Sequence, residues 1–210
     1  MVWLEYFDNK YRSLLSPRSN GAKRGLVEGH IQRYQGFRLM FELLLANRSS
    51  GHEIIETGTL RNPGNWKDGQ SAALFTEFAD HHGGRVRSVD IDSEACASAR
   101  TAITSKRFQV QCSDSVAWLN SLDDLAQVDL FYLDSWDVKW ADDTDSADHH
   151  LKEFEAIESY LKPGAVVAID DNSRFRDSGQ RTGKGRRIVE YLDQQGKQPI
   201  YDAYQIIYQF

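Results

Sequence analysis

The chain has 210 residues, of which 40% are hydrophobic and 27% charged, and its net charge is −6. This composition predicts one soluble globular domain with a sizeable core. The negative charge disfavours a nucleic-acid substrate. Two cysteines are too few for a metal framework and are predicted to be reduced thiols. Neither a membrane-spanning run nor a secretory signal is recognisable, so a cytoplasmic protein is expected.

The first 50 residues are predicted to form helices that belong to the same domain as residues 51–210. Aromatic residues between positions 3 and 11 predict a short helix, followed by a loop near 16–21. Apolar residues at helical spacing over 26–46 predict an amphipathic helix, which the polar residues 47–51 end.

From residue 51 onward, short apolar strands alternate with helices. Strands are predicted at 53–57, 85–90, 108–112, 128–133 and 165–169, and helices at 70–82, from 93 onward, and at 116–122, 148–161 and 185–195. This alternation predicts a Rossmann-like, doubly wound, mostly parallel sheet with helices on both faces. Residues 172–185 are predicted to be a loop, and the tail 199–210 is expected to add an antiparallel strand at one edge.

A glycine-bearing loop joins the first predicted strand to its helix. Glu56 and Gly58 stand at the strand end, and Gly69, Gln70 and Ser71 precede or begin the helix. Glycine lets the backbone approach a ligand closely, and a helix N-terminus offers unpaired N–H groups. An ordinary strand-to-helix turn explains the same residues equally well, so this loop does not identify a site by itself.

Acidic residues occur at or just beyond the ends of five predicted strands. These residues are Glu56, Asp90, Asp114, Asp134 and Asp170. Ligands of open parallel sheets bind at this edge, so five acids predict a polyhydroxylated ligand, a cation, or both. The loop lacks a tight G-x-G-x-x-G or a P-loop, which favours a nucleoside ligand without phosphates. Asp90 is expected to bind ribose hydroxyls, whereas Asp92 is expected to cap the next helix.

This ordered set of motifs resembles the class I S-adenosylmethionine-dependent methyltransferases. The resemblance is carried by residues 56–59, 89–92, 113–115 and 133–134, and it spans roughly 52–210. It implies that S-adenosylmethionine (SAM) is the cofactor. It assigns cofactor contacts to Glu56, Gly58, Thr59, Gly69, Gln70, Ser71, Asp90, Ile91, Ser113, Asp114 and Asp134. The insert 61–68 departs from the family's compact loop.

The second half of the chain is similar to the metal-dependent O-methyltransferases of the catechol and macrocin types. Residues 131–136 and 169–172 carry this similarity, which implies Mg²⁺ or another divalent cation bound by Asp134, Asp170, Asp171 and Asn172. A hard cation prefers such oxygen ligands and lowers the pKa of a bound hydroxyl. A polar turn after a buried strand is the alternative for residues 170–172.

These features together predict methyl transfer from SAM to a hydroxyl group of a small molecule, aided by a divalent cation. The catalytic candidates are Asp134 and, for the general base, Asp137, Lys139, His149 and His150. A nicotinamide-dependent oxidoreductase and a non-catalytic cofactor-binding module are the alternatives. Residues 172–187 fit a solvated loop or a positively charged lid over the acceptor. The tail fits an edge strand of a homodimer or one covered within the chain.

Overall fold

The computed structural model describes residues 2–16, 25–26, 33–66 and 70–210. The helices of this part are α1 (Trp3–Leu15), α2 (Arg33–Asn47), α3 (Ser71–His82), α4 (Ser93–Ala102), α5 (Ser115–Asn120), α6 (Thr144–Glu158) and α7 (Arg186–Gln194). The strands are β1 (His52–Thr57), β2 (Gly84–Asp90), β3 (Phe108–Cys112), β4 (Leu130–Leu133), β5 (Val166–Ile169), β6 (Asn172–Arg174), β7 (Arg181–Gly183), β8 (Tyr201–Asp202) and β9 (Ile206–Gln209).

Seven of these strands form one sheet in the order β3-β2-β1-β4-β5-β9-β8. Strands β1 to β5 are parallel, whereas β9 runs antiparallel to both β5 and β8. The predicted Rossmann-like sheet with an antiparallel C-terminal edge is therefore confirmed. The strand order reverses between β1 and β4, and ligands of such sheets bind beside that switch point.

The sheet separates two apolar layers. Alternate residues of β4 face opposite layers, with Leu130 and Tyr132 on one side and Phe131 and Leu133 on the other. The first layer packs against α1, α2, α3 and α4, and the second against α5, α6 and α7. Because helices cover both faces, β4 and β5 are buried at every position, as expected for central parallel strands.

The chain between β5 and α7 differs from the predicted loop. Strands β6 and β7 pair antiparallel in a separate hairpin. Arg174 and Arg181 stand opposite each other in this hairpin, and both form ion pairs with Asp202 of β8. Because this shared carboxylate comes from a distant segment, the local sequence does not reveal the pairing.

Other predicted boundaries differ by a few residues. Helix α6 begins at Thr144 instead of 148, and Asp145 in its first turn complements the positive end of the helix dipole. Strand β4 begins at Leu130 instead of 128 because Leu125–Gln127 forms a short 3₁₀ turn. The residues 27–32 of the predicted 26–46 helix lie outside the described residues, as does most of the predicted loop near 16–21.

Cys96 and Cys112 are both free thiols, which confirms the prediction from the cysteine count. Among the helices of the described ranges, none combines the length and the hydropathy that crossing a lipid bilayer requires.

The start of β2 depends on Gly84. Its φ is +106°, and an added Cβ would lie 1.9 Å from the carbonyl oxygen of His52. Gly84→Ala is expected to lower the free energy of unfolding by about 3 kcal/mol through backbone strain and overpacking. Gly51 is a matched control, since its φ is +78° but an added Cβ meets no atom within 4 Å. Gly51→Ala should cost only about 1 kcal/mol in urea unfolding; equal losses in both variants would contradict the role of the close contact.

Candidate cofactor and methyl-transfer site

A cavity of about 450 Å³ opens at the carboxyl ends of β1, β2 and β4. Eight of the residues predicted from the sequence line it: Gly58, Thr59, Asp90, Ile91, Asp114, Asp134, Asp137 and His149. Arg61, Ser115, Ser135 and Trp136 contribute to the same wall. Residues that are distant in the sequence therefore meet at one edge of the sheet.

Gly58 sets the shape of the cavity floor. Its φ is +82°, and its N–H donates a 2.8 Å hydrogen bond to the carbonyl of Val89. An added Cβ would lie 2.7 Å from the carbonyl oxygen of Asp134. Only glycine accommodates both the left-handed backbone and the close approach of the β1 and β4 ends.

Asp90 holds a carboxylate at the rim beside Gly58. One of its oxygens accepts a 3.1 Å hydrogen bond from the N–H of Thr59, and the other accepts a 2.9 Å bond from the N–H of Asp92. Each oxygen has a second lone pair that can accept from a hydroxyl group. Burial raises the pKa of Asp90 above its ordinary value.

The neighbouring acids cap helices. Asp92 accepts a 2.8 Å hydrogen bond from the N–H of Glu94 at the start of α4, which confirms its predicted capping role. Asp114 lines the cavity and also caps α5 by accepting from the N–H of Ala117 at 2.8 Å. Ser113 supports the rim from behind, where its N–H donates to the carbonyl of Asp90 at 2.9 Å.

Ile91 and Trp136 provide the apolar part of the cavity mouth. Ile91 is 76% exposed and Trp136 is 49% exposed, although both line the cavity. Large apolar side chains that remain exposed at a cavity mouth are available to contact the flat ring of a ligand.

Glu56 lies beneath the loop instead of in the cavity wall. Its carboxyl group is buried and accepts a 2.6 Å hydrogen bond from the hydroxyl of Ser88. Its other oxygen has no hydrogen-bond partner within the described ranges. Burial raises the pKa of Glu56 to about 8, so the carboxyl group holds a proton at neutral pH.

Gln70 and Ser71 border a second, much smaller cavity of about 10 Å³, which Asp134 and Asp170 also line. Gln70 stabilises residues 62–64 of the insert, because its amide accepts from the N–H of Gly64 and donates to the carbonyl of Asn62. Gly69, the other predicted residue of this loop, lies outside the described residues.

Asp134, Asp170 and Asp171 form a carboxylate cluster next to the main cavity. One oxygen from each lies within 4.8 Å of the others. The ammonium of Lys184 is 2.5 Å from Asp134 Oδ1 and 2.9 Å from Asp171 Oδ2. Burial alone would lower the pKa of Lys184, but Asp134 and Asp171 raise it above its ordinary value.

Arg33 of α2 is the second cation of the cluster. Its guanidinium lies 2.8 Å from Asp170 Oδ2 and 3.4 Å from Asp171 Oδ1. Tyr204 donates its hydroxyl hydrogen to Asp171. Burial alone would raise the pKa of Asp171, but Lys184 and Arg33 hold it below its usual range.

Asn172 is directed away from this cluster into backbone hydrogen bonds. Its amide oxygen accepts from the N–H of Gly185 at 2.7 Å. Its amide nitrogen donates to the carbonyls of Ile169 and Asp170 at 2.8 and 2.9 Å. The side chain is fully buried and connects the end of β5 with the start of α7.

A buried carboxylate, Glu153 of α6, organises the opposite wall. It accepts hydrogen bonds from the hydroxyls of Thr57, Ser115 and Ser135, and one of its oxygens is 3.3 Å from His149 Nε2. Burial alone would raise the pKa of Glu153, but His150, His149 and Ser115 together lower it to about 2.

The hydrogen bonds of this network determine the tautomer of His149. Ser115 has one hydroxyl hydrogen, which it donates to the ionised Glu153. Its oxygen must therefore accept from His149 Nε2, 2.9 Å away, so Nε2 carries the hydrogen of the neutral imidazole. The basic nitrogen is then Nδ1, for which the described residues provide no hydrogen bond.

The other candidate bases lie in different surroundings. Asp137 lines the cavity but forms a 2.9 Å ion pair with Arg61. Lys139 is exposed outside the cavity and lies 3.8 Å from Asp145. His150 is buried with its Nδ1 2.6 Å from the carbonyl of Ser146, and burial lowers its pKa to about 4.

Several residues of this site were not predicted from the sequence. Glu153, Ser135 and Arg33 were not singled out, and Lys184 was considered only as part of a lid. The spacing of His149 and Glu153, four residues apart on one helix, was the one local signal for their pairing. The cations of the predicted lid are paired within the chain instead, Lys184 with the cluster and Arg186 with Asp143.

The raised pKa of Glu56 makes stability depend on pH. Its pKa rises from 4.5 in the unfolded chain to about 8, so the stabilising proton is lost as pH rises through this window. Wild type should lose about 3–5 kcal/mol of unfolding free energy between pH 5 and pH 8.5 relative to Glu56→Gln. Denaturant unfolding at both pH values measures this difference. Glu155→Gln, at an exposed residue of α6, is the control and should follow wild type. Parallel pH profiles for wild type and Glu56→Gln would show that the carboxyl group is not protonated.

With this geometry, the chain was compared with known proteins. The family profile described as "Methyltransferase domain" matches residues 66–172, just over half of the chain. No curated protein matches the sequence significantly.

Three solved structures are similar to the chain at low sequence identity. SMU.1697c from Streptococcus mutans, in complex with SAH, has a TM-score of 0.53 and 13% identity, with 82% of this chain and 96% of that chain covered. An rRNA methylase from Streptococcus thermophilus has a TM-score of 0.50 and 13% identity over 81% and 94% of the two chains. MycE methyltransferase of the mycinamycin pathway, in complex with Mg, SAH and mycinamycin VI, has a TM-score of 0.44 and 16% identity over 64% of this chain and 34% of its own.

The chain spans about a third of the length of MycE. At 13% identity, SMU.1697c and the rRNA methylase support the fold alone, and the family profile supports membership. The profile covers α3 to β5, the elements that carry Asp90, Asp114, Asp134 and His149. The chain therefore belongs to the methyltransferase-domain family and has the fold of the class I SAM-dependent methyltransferases.

Proposed function

We propose that the protein transfers the methyl group of SAM to a hydroxyl oxygen of a small molecule. The observation that carries this proposal is that Asp90 and His149 line the same cavity. Asp90 offers acceptors for ribose hydroxyls, and His149 offers a basic nitrogen for the hydroxyl that is methylated. The two groups belong to β2 and α6, on different sides of the same opening.

The residues that line the cavity suit the nucleoside part of SAM. Gly58 lets the loop after β1 approach the backbone of Asp134 closely, and Gly58 and Thr59 line the cavity there. Asp90 and Asp114 offer acceptors at successive strand ends, while Ile91 and Trp136 offer apolar surface for a planar base. These are the groups that a nucleoside without phosphates needs.

Bound SAM supplies an electrophilic methyl carbon, which the acceptor oxygen attacks as the carbon–sulfur bond breaks and S-adenosylhomocysteine leaves. His149 Nδ1 takes the hydroxyl proton as the new bond forms. Glu153 stabilises the imidazolium that results, because its ionised oxygen is 3.3 Å from Nε2. General-base catalysis of this kind contributes about 10²–10⁴ in rate.

A small acceptor agrees with the charges around the opening. The net charge of −6 disfavours a nucleic-acid strand. Arg61 and Asp137, both partly exposed, form an ion pair across two segments of the cavity wall. A phenol or a vicinal diol is compatible with a site that presents carboxylates and an imidazole.

The donor set does not support a divalent cation at the carboxylate cluster. Mg²⁺ prefers several free oxygen ligands in octahedral geometry. Asp134, Asp170 and Asp171 already face Lys184 and Arg33, and the amide oxygen of Asn172 accepts from a backbone N–H. Asp170 Oδ1 is buried without a hydrogen-bond partner among the described residues, but one such oxygen does not supply the several ligands that Mg²⁺ needs. No step of the proposed reaction depends on a metal ion.

The two alternative functions are less favoured. The family match opposes a nicotinamide-dependent oxidoreductase. A non-catalytic binding module would bind SAM but would not release S-adenosylhomocysteine with any acceptor.

Cofactor binding is tested with Asp90→Asn and Asp92→Asn. Asp90→Asn removes a negative charge and acceptor capacity at the predicted ribose position, and it should weaken SAM binding by about tenfold or more. Asp92 also lines the cavity, but its side chain caps α4 and asparagine still caps a helix, so Asp92→Asn should keep the affinity within about twofold of wild type. Isothermal titration calorimetry measures both. Unchanged affinity in Asp90→Asn would remove Asp90 from the cofactor site, and wild type that ignores SAM would contradict the proposed function.

The base is tested with His149→Gln. Glutamine can retain the Nε2–H donor to Ser115 but lacks Nδ1, so kcat should fall by about 10²–10⁴ while SAM affinity changes little. The measurement is the formation of S-adenosylhomocysteine from SAM in the presence of a panel of phenols and vicinal diols. Lys139→Met, at the competing candidate outside the cavity, should retain activity; the reverse pattern would assign the base to Lys139.

A further inference from the structure

Lys184 is a lysine whose side chain is almost completely inside the protein, with 1% of its surface exposed. An ammonium group has three hydrogens to donate. The ammonium donates to Asp134 Oδ1 at 2.5 Å and to the Asp134 carbonyl at 3.3 Å, and it forms an ion pair with Asp171 Oδ2 at 2.9 Å. Two hydrogen bonds and one ion pair therefore hold the buried cation against the carboxylate cluster.

The cluster is nearly neutralised by side chains of the chain itself. When Asp134, Asp170 and Asp171 are ionised, they carry three negative charges. Lys184 and Arg33 return two positive charges within ion-pair distance. In that state the site would have one net negative charge, and an entering divalent cation would be repelled by the two positive side chains already there.

The backbone holds Lys184 in this position. The N–H of Lys184 donates to the carbonyl of Asp171 at 3.2 Å. Gly183, with φ +117°, packs so tightly that an added Cβ would lie 2.2 Å from the same carbonyl. Gly185 donates its N–H to the side chain of Asn172, where an added Cβ would lie 2.7 Å from the amide oxygen. Gly183 and Gly185, the residues on either side of Lys184, thus pack against or hydrogen-bond to Asp171 and Asn172.

Moving the ammonium aside would be costly. Removing it would leave the carboxylate of Asp134 without its cation and that of Asp171 with Arg33 alone, which is strongly unfavourable. The hydrogen bonds from the N–H groups of Lys184 and Gly185 to residues 171 and 172 also oppose a backbone shift that would carry the side chain away. A metal ion would have to overcome both effects before it gained its first ligand.

We propose that Lys184 is the resident cation of the carboxylate cluster and that the protein works there without a divalent metal ion. Lys184 acts as a positioning residue, because it holds the carboxylate of Asp134 between the two cavities. The metal-binding part of this inference is independent of methyl transfer, whereas its catalytic consequence rests on the proposed function.

The test is a titration of Mn²⁺, followed by electron paramagnetic resonance and calorimetry. Wild type should bind no Mn²⁺ at the cluster. Lys184→Met keeps the length of the side chain but removes the charge, and it should gain Mn²⁺ affinity by about tenfold or more as the carboxylates attract the ion. Lys162→Met is the control, since it removes an ion pair with Asp129 near the opposite end of the strands and should gain none.

The outcomes separate the alternatives. Wild-type Mn²⁺ binding that Asp171→Asn abolishes would overturn the proposal, and this comparison remains decisive if Lys184→Met fails to fold. A folded Lys184→Met variant that gains no Mn²⁺ affinity would also overturn it, because the ammonium would then not be what keeps a metal ion out of the carboxylate cluster. Chelator treatment should leave S-adenosylhomocysteine release by wild type unchanged, and its loss would count against the proposal. Failure of every acceptor would contradict the proposed function without altering the Mn²⁺ result.

Discussion

The removal of carboxylates from water at one edge of the sheet is the constraint on which the site depends. A buried charge is costly unless it is paired, hydrogen-bonded or neutralised by a proton. Glu56 is neutralised by a proton, because burial raises its pKa to about 8. Glu153 is stabilised by hydrogen bonds from hydroxyl groups and by the neighbouring imidazoles. The carboxylate cluster of Asp134, Asp170 and Asp171 is paired with Lys184 and Arg33.

These different solutions divide the edge into parts with distinct chemistry. The protonated Glu56 adds no charge beneath the loop that follows β1. The ionised Glu153 fixes the tautomer of His149 through Ser115. Asp134 joins the parts, since it lines both cavities and contacts Lys184. Acids that resemble one another in the sequence therefore acquire separate roles from their surroundings.

Local patterns were sufficient for the elements and for one half of the site. The bounds of α3 agree within one residue with the predicted helix at 70–82, and those of β3 match the predicted strand at 108–112, because apolar periodicity and flanking polar residues define them. Asp90, Gly58 and Asp114 meet because parallel strands share one carboxyl edge, which the order of elements already implies. The hairpin β6–β7 was missed because its arginines are paired with Asp202, far along the chain.

The sequence by itself determined the alternation of strands and helices, the glycine after β1 and the acidic rim, since these depend on residues close together in the chain. Only the tertiary structure decided which charges meet. Arg33 reaches Asp170 across 137 positions, and Lys184 reaches Asp134 across 50. The physical reason is that the ionisation and pairing of a carboxylate depend on its burial and on the cations that the fold brings beside it, and neither is visible in the local sequence.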